Sequence, residues 1–462
     1  MQQHRWIKWL LIAVVTVMMS ACGGGSGTGG NTVPSANPFA LTLDVNESTA
    51  TANWLSESSA SDAEGNSLTA TVKTQGSYGT FVVTGDSISY LKTTETNTTD
   101  IGILEISDGT DSVRIPLSIK TLYWKQISAG NLHTVALKSD GTLWAWGYNG
   151  YGQLGDGTTA PRSVPTQESS AGTNWRSVSA GDSYTAALKS DGTLWAWGDN
   201  GHGRLGDGGI TRRFVPTQVS SAGTNWRSVS AGSYHTIALK SDGTLWAWGD
   251  NSHGQLGDGT TTPRSVPTQE STHASDWSSV SAGGYHTAAL KSDDTLWAWG
   301  SRQSGNSPTQ VGTGTNWSSV SAGYFHTAAL KSDHTLWAWG DNSHGRLGDG
   351  TTIDRSVPTQ ESSASINWSS VSAGNTHTAA LKDDHTLWAW GNNRDGRLGD
   401  GTTTNRSVPT QVGTGMNWSS VSAEGHTTAL KSDDTLWVWG ANRYGQLTRA
   451  VWDPVRSQPR RP

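Results

Sequence analysis

From Trp124 onward the apolar and polar positions recur in a single pattern, approximately W-x-x-V-S-A-G-x-x-H-T-x-A-L-K-S-D-G-T-L-W-A-W-G followed by a Gly-rich stretch and R-S-V-P-T-Q. Copies begin at Trp124, Trp175, Trp226, Trp277, Trp317, Trp368 and Trp418, at intervals of 51, 51, 51, 40, 51 and 50 residues. A fixed period of this length marks a repeat architecture whose units bury their faces against one another. Within the third copy, alternation and turn chemistry predict strands over Trp226–Ala231, His235–Lys240 and Leu245–Trp248, with Asp242-Gly243 as the tight turn between the last two. A Gly-rich loop over 250–264 then leads to a fourth strand, Val266–Gln269, whose Pro267 suits a sheet edge. Four antiparallel strands in each of seven copies predict an all-β fold, a seven-bladed β-propeller over 121–462, in which radial packing protects the strand edges.

Two copies depart from the pattern. The fourth is eleven residues shorter and runs directly from Gly300 through Ser301, Arg302 and Gln303 to Ser307-Pro308. The seventh lacks the Gly-Asp-Gly-Thr segment after Gln446-Leu447 and ends in Trp452-Asp453-Pro454-Val455 and a basic tail. Its outer strand has two candidate sources: that tail, or Ile115-Pro116-Leu117-Ser118-Ile119 ahead of the first copy. The second is also placed to close the preceding domain, and that assignment is preferred.

Residues 39–120 carry short alternating runs, Leu68–Val72, Thr80–Val83 and Ile101–Ile106, between Asp/Gly/Asn turns, which predicts a small β-sandwich. Ser61-Asp62-Ala63-Glu64-Gly65-Asn66, the Gly79-Thr80 step and Ile106-Ser107-Asp108-Gly109 resemble cadherin-like domains. Such domains sometimes hold calcium on acidic loops, and Asp62 and Glu64 are the positions concerned; one Asp, one Glu and an Asn fall short of six to eight oxygens, so a solvated turn is expected.

The N-terminus addresses the compartment. Residues 1–9 carry His4, Arg5 and Lys8, and 10–19 are apolar apart from Thr16, too short to span a bilayer and suited to a secretory signal over 1–21. Met19-Ser20-Ala21-Cys22 resembles a bacterial lipoprotein cleavage box, and Cys22 is the one cysteine of the chain. The resemblance implies lipidation at Cys22, a flexible tether over 22–38, attachment to the membrane through that anchor, and, with Gly23 rather than Asp next, the outer membrane or cell surface.

Composition narrows the chemistry. Three tryptophans per copy account for most of the 25 in the chain, so they are packing elements of the repeat. A net charge of -6 without a basic stripe argues against nucleic acid. No nucleophile elbow, zinc spacing or phosphate loop is present, and no cofactor, metal or catalytic residue is expected. His133, His235, His286, His326, His377 and His426 occupy one repeated position, filled by Tyr184 in the second copy. Catalysis needs unequal, tuned environments, so a histidine that recurs is expected to fix the first hairpin of its blade. Asp156, Asp207, Asp258, Asp349 and Asp400 sit in identical Gly-Asp-Gly turns and are expected to bond local backbone, with calcium as the lesser alternative.

The A-G-x-x-H-T, L-W-A-W-G and G-Q-L-G elements resemble the regulator of chromosome condensation family. The resemblance implies a propeller that binds other proteins. The family's eukaryotic namesake catalyses nucleotide exchange on a small nuclear GTPase, and bacterial relatives include secreted propellers that inhibit β-lactamases by covering them with a loop-rich face. Strand polarity places the loop between strands one and two on the same face as the long loop between strands three and four, and both vary between copies. Besides Leu132 and Asp395 they contribute Tyr148, Tyr151, Tyr184, His202, Tyr234, His253, Tyr285, Arg302, Tyr324, Phe325, His344, Arg394, Arg443 and Tyr444, residue types enriched in interface anchors. The opposite face, with its Lys-Ser-Asp-Gly turns, reads as solvated. The expectation is a monomeric, non-catalytic module that binds a protein or envelope ligand; the alternatives are a nucleotide-exchange-like regulator and a polysaccharide-active enzyme.

Overall fold

The computed structural model describes residues 33–447 apart from 45–48, 64–66, 78, 93–99, 221–222 and 302–304. Residues 1–32, among them the stretch read as a secretory signal and Cys22, together with Glu64, Arg302 and the tail from 448, therefore lie outside the described residues. The chain divides into two compact units at Tyr123/Trp124.

In the first unit, seven strands form two sheets: β1 (Phe39–Asp44), β2 (Thr49–Asn53), β3 (Thr69–Thr74), β4 (Gly79–Thr84), β5 (Ser87–Lys92), β6 (Asp100–Ser107) and β7 (Ser112–Leu122). One sheet is ordered β1-β7-β6-β3 and the other β2-β5-β4, with β1 parallel to β7. The alternation read from Ile101–Ile106 holds: Leu104 and Ile106 of β6 point into one core with Ile115, Leu117 and Ile119 of β7 and Phe81 and Ile88 of the other sheet. The stretch Ile115–Ile119 thus pairs with β1 and β6 and serves this unit. A helical turn, α1 (Trp54–Glu57), went unread in the sequence; Asn53 caps it by accepting from the Ser56 amide, and the buried Trp54 plugs the core from it.

The second unit holds seven sheets. The third is typical: Trp226–Ala231, His235–Lys240, Leu245–Gly249 and Arg264–Gln269, antiparallel and in chain order, the fourth strand starting at Arg264 rather than at Val266. Its second strand is buried on both faces, which explains the near-continuous apolar run His235-Thr-Ile-Ala-Leu. No blade completes a core alone. Ile237, Leu239, Leu245 and Leu256 of the third blade share a cluster with Trp277, Ala289 and Trp299 of the fourth, and equivalent clusters recur at other joints. The seventh sheet packs on the first through Leu430, Val438 and Leu447 against Ile127, Ala136 and Trp146. It has three strands among the described residues.

Candidate functional site

Two circuits of polar contacts run through the blade joints. In every blade a serine hydroxyl of the innermost strand accepts from the alanine amide of the next blade's innermost strand, from Ser128 to Ala180 around to Ser422 and Ala129, at 2.9–3.0 Å. The repeated histidines form the second circuit. Each Nε2 meets a threonine hydroxyl of the following blade, as in His133–Thr185 (3.1 Å), His235–Thr287 (2.9 Å) and His326–Thr378 (2.8 Å), and His426 joins the last blade to Thr134 of the first (2.7 Å). Thr185, Thr287 and Thr378 spend their one proton on the carbonyls of Gln153, Gln255 and Arg346. The imidazole must therefore donate, which fixes the neutral Nε2–H tautomer. Burial enforces neutrality, lowering the pKa to about 3 at His133, His235 and His426 and about 4 at His286. The side chains thus couple neighbouring blades, whereas the sequence reading had assigned them to a hairpin within one blade.

Tyr184 belongs to this circuit and not to the exposed face. It is fully buried, and its hydroxyl donates to the His235 carbonyl at 2.7 Å and lies 2.8 Å from the Thr236 hydroxyl. Its proposed place on a binding face is corrected accordingly: the first-loop backbone turns the last position of A-G-x-x-H inward in all copies, whichever side chain occupies it.

The long loops are built on an asparagine that the motif reading passed over. Asn251 is fully buried; its Oδ1 accepts from the Leu256 amide (3.0 Å) and its Nδ2 donates to Asp258 (3.1 Å). Asp258 in turn accepts from the Thr260 amide and hydroxyl and from Arg264 Nε (2.8 Å). The same set recurs at Asp156, Asp349 and Asp400, and Asp207 keeps it with Gly209 in place of the threonine. Burial works to raise these carboxyls, but bonds from threonine, arginine and asparagine outweigh it and hold them below the usual aspartate range. The carboxylate oxygens are committed within the protein, as the turn reading expected.

Outside this frame lie the variable side chains, and the structure collects them into two groups. Tyr234, Tyr285, Tyr324 and Phe325 form an aromatic wall: ring centroids lie 5.1 Å apart for Tyr234–Tyr285, 5.4 Å for Tyr285–Tyr324, 5.7 Å for the stacked Tyr285–Phe325 pair and 4.5 Å for Tyr324–Phe325. His253 extends it beside Tyr285 (4.9 Å) and His202 beside Tyr234 (6.0 Å). The Tyr324 hydroxyl bridges those of Tyr234 and Tyr285 at 3.1 and 3.2 Å. Reaching from the fifth blade to the third takes it across the fourth at Gly284, where a Cβ would stand 2.5 Å from the Tyr324 carbonyl oxygen and 3.1 Å from its Cγ. Burial and the neighbouring hydroxyls raise the Tyr324 pKa, so its phenol stays protonated. Phe325 is 36% exposed and the three tyrosines are half-buried.

The second group joins the seventh, first and second blades: Tyr148 lies 4.7 Å from the exposed Tyr444 and 5.9 Å from Tyr151, over which Arg212 stacks at 4.4 Å. His344 stands apart, held by Ser343 and Arg346, and Arg394 and Arg443 are exposed. Asp395 is paired with Arg397. Sequence reasoning also missed the third position of A-G-x-x-H. There Asp182 is raised by burial, and Glu424, at the second position of the seventh copy's shortened turn, is pushed up to about 8 by burial and by Asp182. The signal was present, since Asp182 stands where other copies carry Asn, Ser, Gly or Tyr, and Glu424 where every other copy carries glycine.

With this geometry established, comparison with known proteins gives a consistent answer. Residues 96–318 match the RCC1-like domain, and 333–381 and 384–430 match the regulator of chromosome condensation (RCC1) repeat, as do 317–346, 368–397 and 424–446 in a second description of it. The chain belongs to the RCC1-like repeat family. It is 33% identical over 304 residues to the ultraviolet-B receptor UVR8 of Arabidopsis thaliana, covering 64% of this chain and 59% of the receptor. It is 31% identical to the mitochondrial RCC1 domain-containing protein RUG3 of the same plant, covering 59% and 55%. The chain thus spans little more than half the length of these relatives. Among solved structures, human WBSCR16 superposes with a TM-score of 0.59 at 22% identity, covering 66% of this chain and 86% of that one. Prp20p of Saccharomyces cerevisiae superposes with a TM-score of 0.57 at 21% identity, covering 67% and 83%. These two establish the shared fold.

The RCC1-type repeat also explains the face opposite the loops, which is less bland than its sequence suggested. Each repeat lysine lies over two tryptophan rings of its own blade: Lys189 over Trp175 and Trp195 (4.8 and 4.2 Å), Lys240 over Trp226 and Trp246 (5.1 and 4.2 Å). Lys138 is 3% exposed. These lysines are part of the packing and would be poor choices as neutral control sites.

Proposed function

We propose that this chain is a lipid-anchored, non-catalytic RCC1-type propeller that binds a protein ligand at the cell envelope through its loop-bearing face, with a cadherin-like β-sandwich between anchor and propeller. The aromatic wall of Tyr234, Tyr285, Tyr324 and Phe325 carries the reading. It combines half-exposed rings with hydroxyl groups at positions that the repeat leaves free to vary. Tyrosine and phenylalanine offer large apolar area at little rotamer cost, and truncating a true anchor costs about 2 kcal/mol or more. A known propeller of the family supports a protein ligand: the structure of Prp20p is described together with its binding to Gsp1p and histones.

The test has two arms. Metabolic labelling with a fatty-acid analogue should mark the wild type and not Cys22→Ala; equal labelling would remove the anchor from the proposal. For the face, proximity labelling from intact cells supplies the partner. Tyr234→Ala, Tyr285→Ala and Phe325→Ala should then each weaken its binding by about 30-fold, while Ser190→Ala and Ser332→Ala on the opposite face leave it unchanged. Loss of binding in the serine variants with retention in the aromatic ones would place the site on the other face.

A further inference from the structure

One blade joint differs from the other six in a way that leaves a buried donor without an acceptor among the described residues. At six joints a single backbone carbonyl of the long loop accepts twice from the next blade. The Gln255 carbonyl takes the Thr287 hydroxyl (2.8 Å) and Trp299 Nε1 (3.0 Å), and the Arg204 carbonyl takes Thr236 (2.7 Å) and Trp248 (3.0 Å). The leucine that follows is buried between the blades, as Leu256 and Leu205 are, and at five of the six a glycine then crosses the tryptophan so closely that a Cβ on Gly257 would lie 2.6 Å from Trp299 Nε1.

The joint from the fourth to the fifth blade has no such loop. Its third strand reaches Gly300 and its fourth begins at Gly305, where the third blade runs from Gly249 to Arg264. Trp339 is 2% exposed, and its Nε1 has no hydrogen-bond partner among the described residues. Thr327 lies 2.8 Å from His286 Nε2, to which its hydroxyl is free to donate because among the described residues no loop carbonyl takes its proton as Gln255 takes that of Thr287. The buried cluster of this joint, Leu290, Leu296, Trp317, Ala329 and Trp339, contains no loop leucine. Leaving a buried donor unmet destabilises the fold, so a ligand that satisfies it recovers that loss as binding.

We propose that this joint is a binding site for an extended loop of a partner protein, which supplies one backbone carbonyl to Trp339 Nε1 and inserts the leucine after it between the fourth and fifth blades. The six filled joints define the ligand chemistry as a carbonyl followed by leucine, and at five of them a glycine comes next to cross the indole. The inference does not rest on the aromatic wall, because its donor lies in the conserved frame of the repeat and not among the variable side chains.

The probe is a blocked synthetic peptide of residues 250–264 of this chain, titrated calorimetrically into the full-length protein. Binding should be saturable below about 1 mM, and Trp339→Phe, which keeps the ring and removes the donor, should weaken it at least about 10-fold. Leu256→Ala in the peptide should weaken it similarly, and Trp299→Phe at a filled joint should not affect it. As a check that does not depend on removing a side chain, replacing residues 301–304 by residues 250–263 should abolish peptide binding and raise Tm. No saturable binding, or binding indifferent to both Trp339→Phe and the loop graft, overturns the proposal. Loss of partner binding in the Tyr285 and Phe325 variants with peptide binding retained would separate it from the aromatic face.

Discussion

Adjacent positions of the first loop lead to opposite parts of the propeller. The last position of A-G-x-x-H points between blades, and its chemistry is held nearly constant: six histidines and one tyrosine, all joined to the next blade. The position before it opens on the loop face and varies through Leu132, Ser183, Tyr234, Tyr285, Phe325 and Thr376. The same residue type takes opposite roles across this step. Tyr184 is a buried joint and Tyr234 part of an exposed wall. In a repeat, a side chain's role is set by its register on the frame, and residue type alone says little.

The largest test of the joint side of this contrast is acid. In the unfolded chain histidine titrates near pH 6.5, while in the fold burial holds these rings neutral down to about 3–4. The unfolded state therefore binds more protons between those values. Stability from this source is fully present above about pH 6.5 and is lost as pH falls toward 4, at about 1.4 kcal/mol per histidine per pH unit. The propeller should begin to unfold within one to two units below pH 6.5 (about pH 5) by tryptophan fluorescence, well above the range in which aspartates protonate. His377→Gln keeps an N–H donor without the titration. It should cost about 1–2 kcal/mol at pH 7 and flatten the pH dependence. A fold unchanged down to pH 4 would break the assignment of these rings as obligate neutral joints.

Next in size is the loop frame. Asn251→Ala strips the Leu256 amide of its acceptor and Asp258 of a donor inside a buried turn, and should destabilise by about 1–3 kcal/mol in denaturant titrations. Ser252→Ala, on the exposed side of the same loop, should stay within about 0.5 kcal/mol. Equal costs would mean that the loops are held by tip contacts and not by the asparagine.

Most of the strand pattern was legible in the sequence because period and turn chemistry act locally: Asp242-Gly243 marks its hairpin and the Trp-x-Trp pair its third strand. What passes between blades was not. The His235–Thr287 bond joins residues 52 apart, and nothing in either copy alone reveals the partner. The same holds for the lysines, whose tryptophan partners lie on two different strands of the blade. For the site, divergence between copies pointed to the loop face. It misled at Tyr184, where a change of residue type at the joint position resembled variation on the surface. Tyr324 was read as one more loop aromatic; its reach over Gly284 to Tyr234 depends on a glycine in another copy.

The smallest effects decide the comparison most directly, because they alter one oxygen in each region. Tyr184→Phe removes a buried hydroxyl that donates to the His235 carbonyl and meets Thr236, while the ring remains; that carbonyl keeps the Gly232 amide, so the cost should be near 1 kcal/mol rather than the larger penalty of a wholly unmet group. Tyr234→Phe removes a half-exposed hydroxyl whose partner, Tyr324, keeps its bond to Tyr285, and should change stability by a few tenths of a kcal/mol at most. Binding at the loop face should show the reverse order. Tyr184→Phe should leave partner affinity unchanged at a temperature where it is folded, whereas Tyr234→Phe should reduce it about two- to ten-fold through loss of one polar contact at the wall. Denaturant midpoints and affinities measured on the same two preparations are sufficient. If Tyr184→Phe weakens binding as much as Tyr234→Phe while costing no more stability, the last position of the motif also feeds the face, and the separation between joint and wall does not hold.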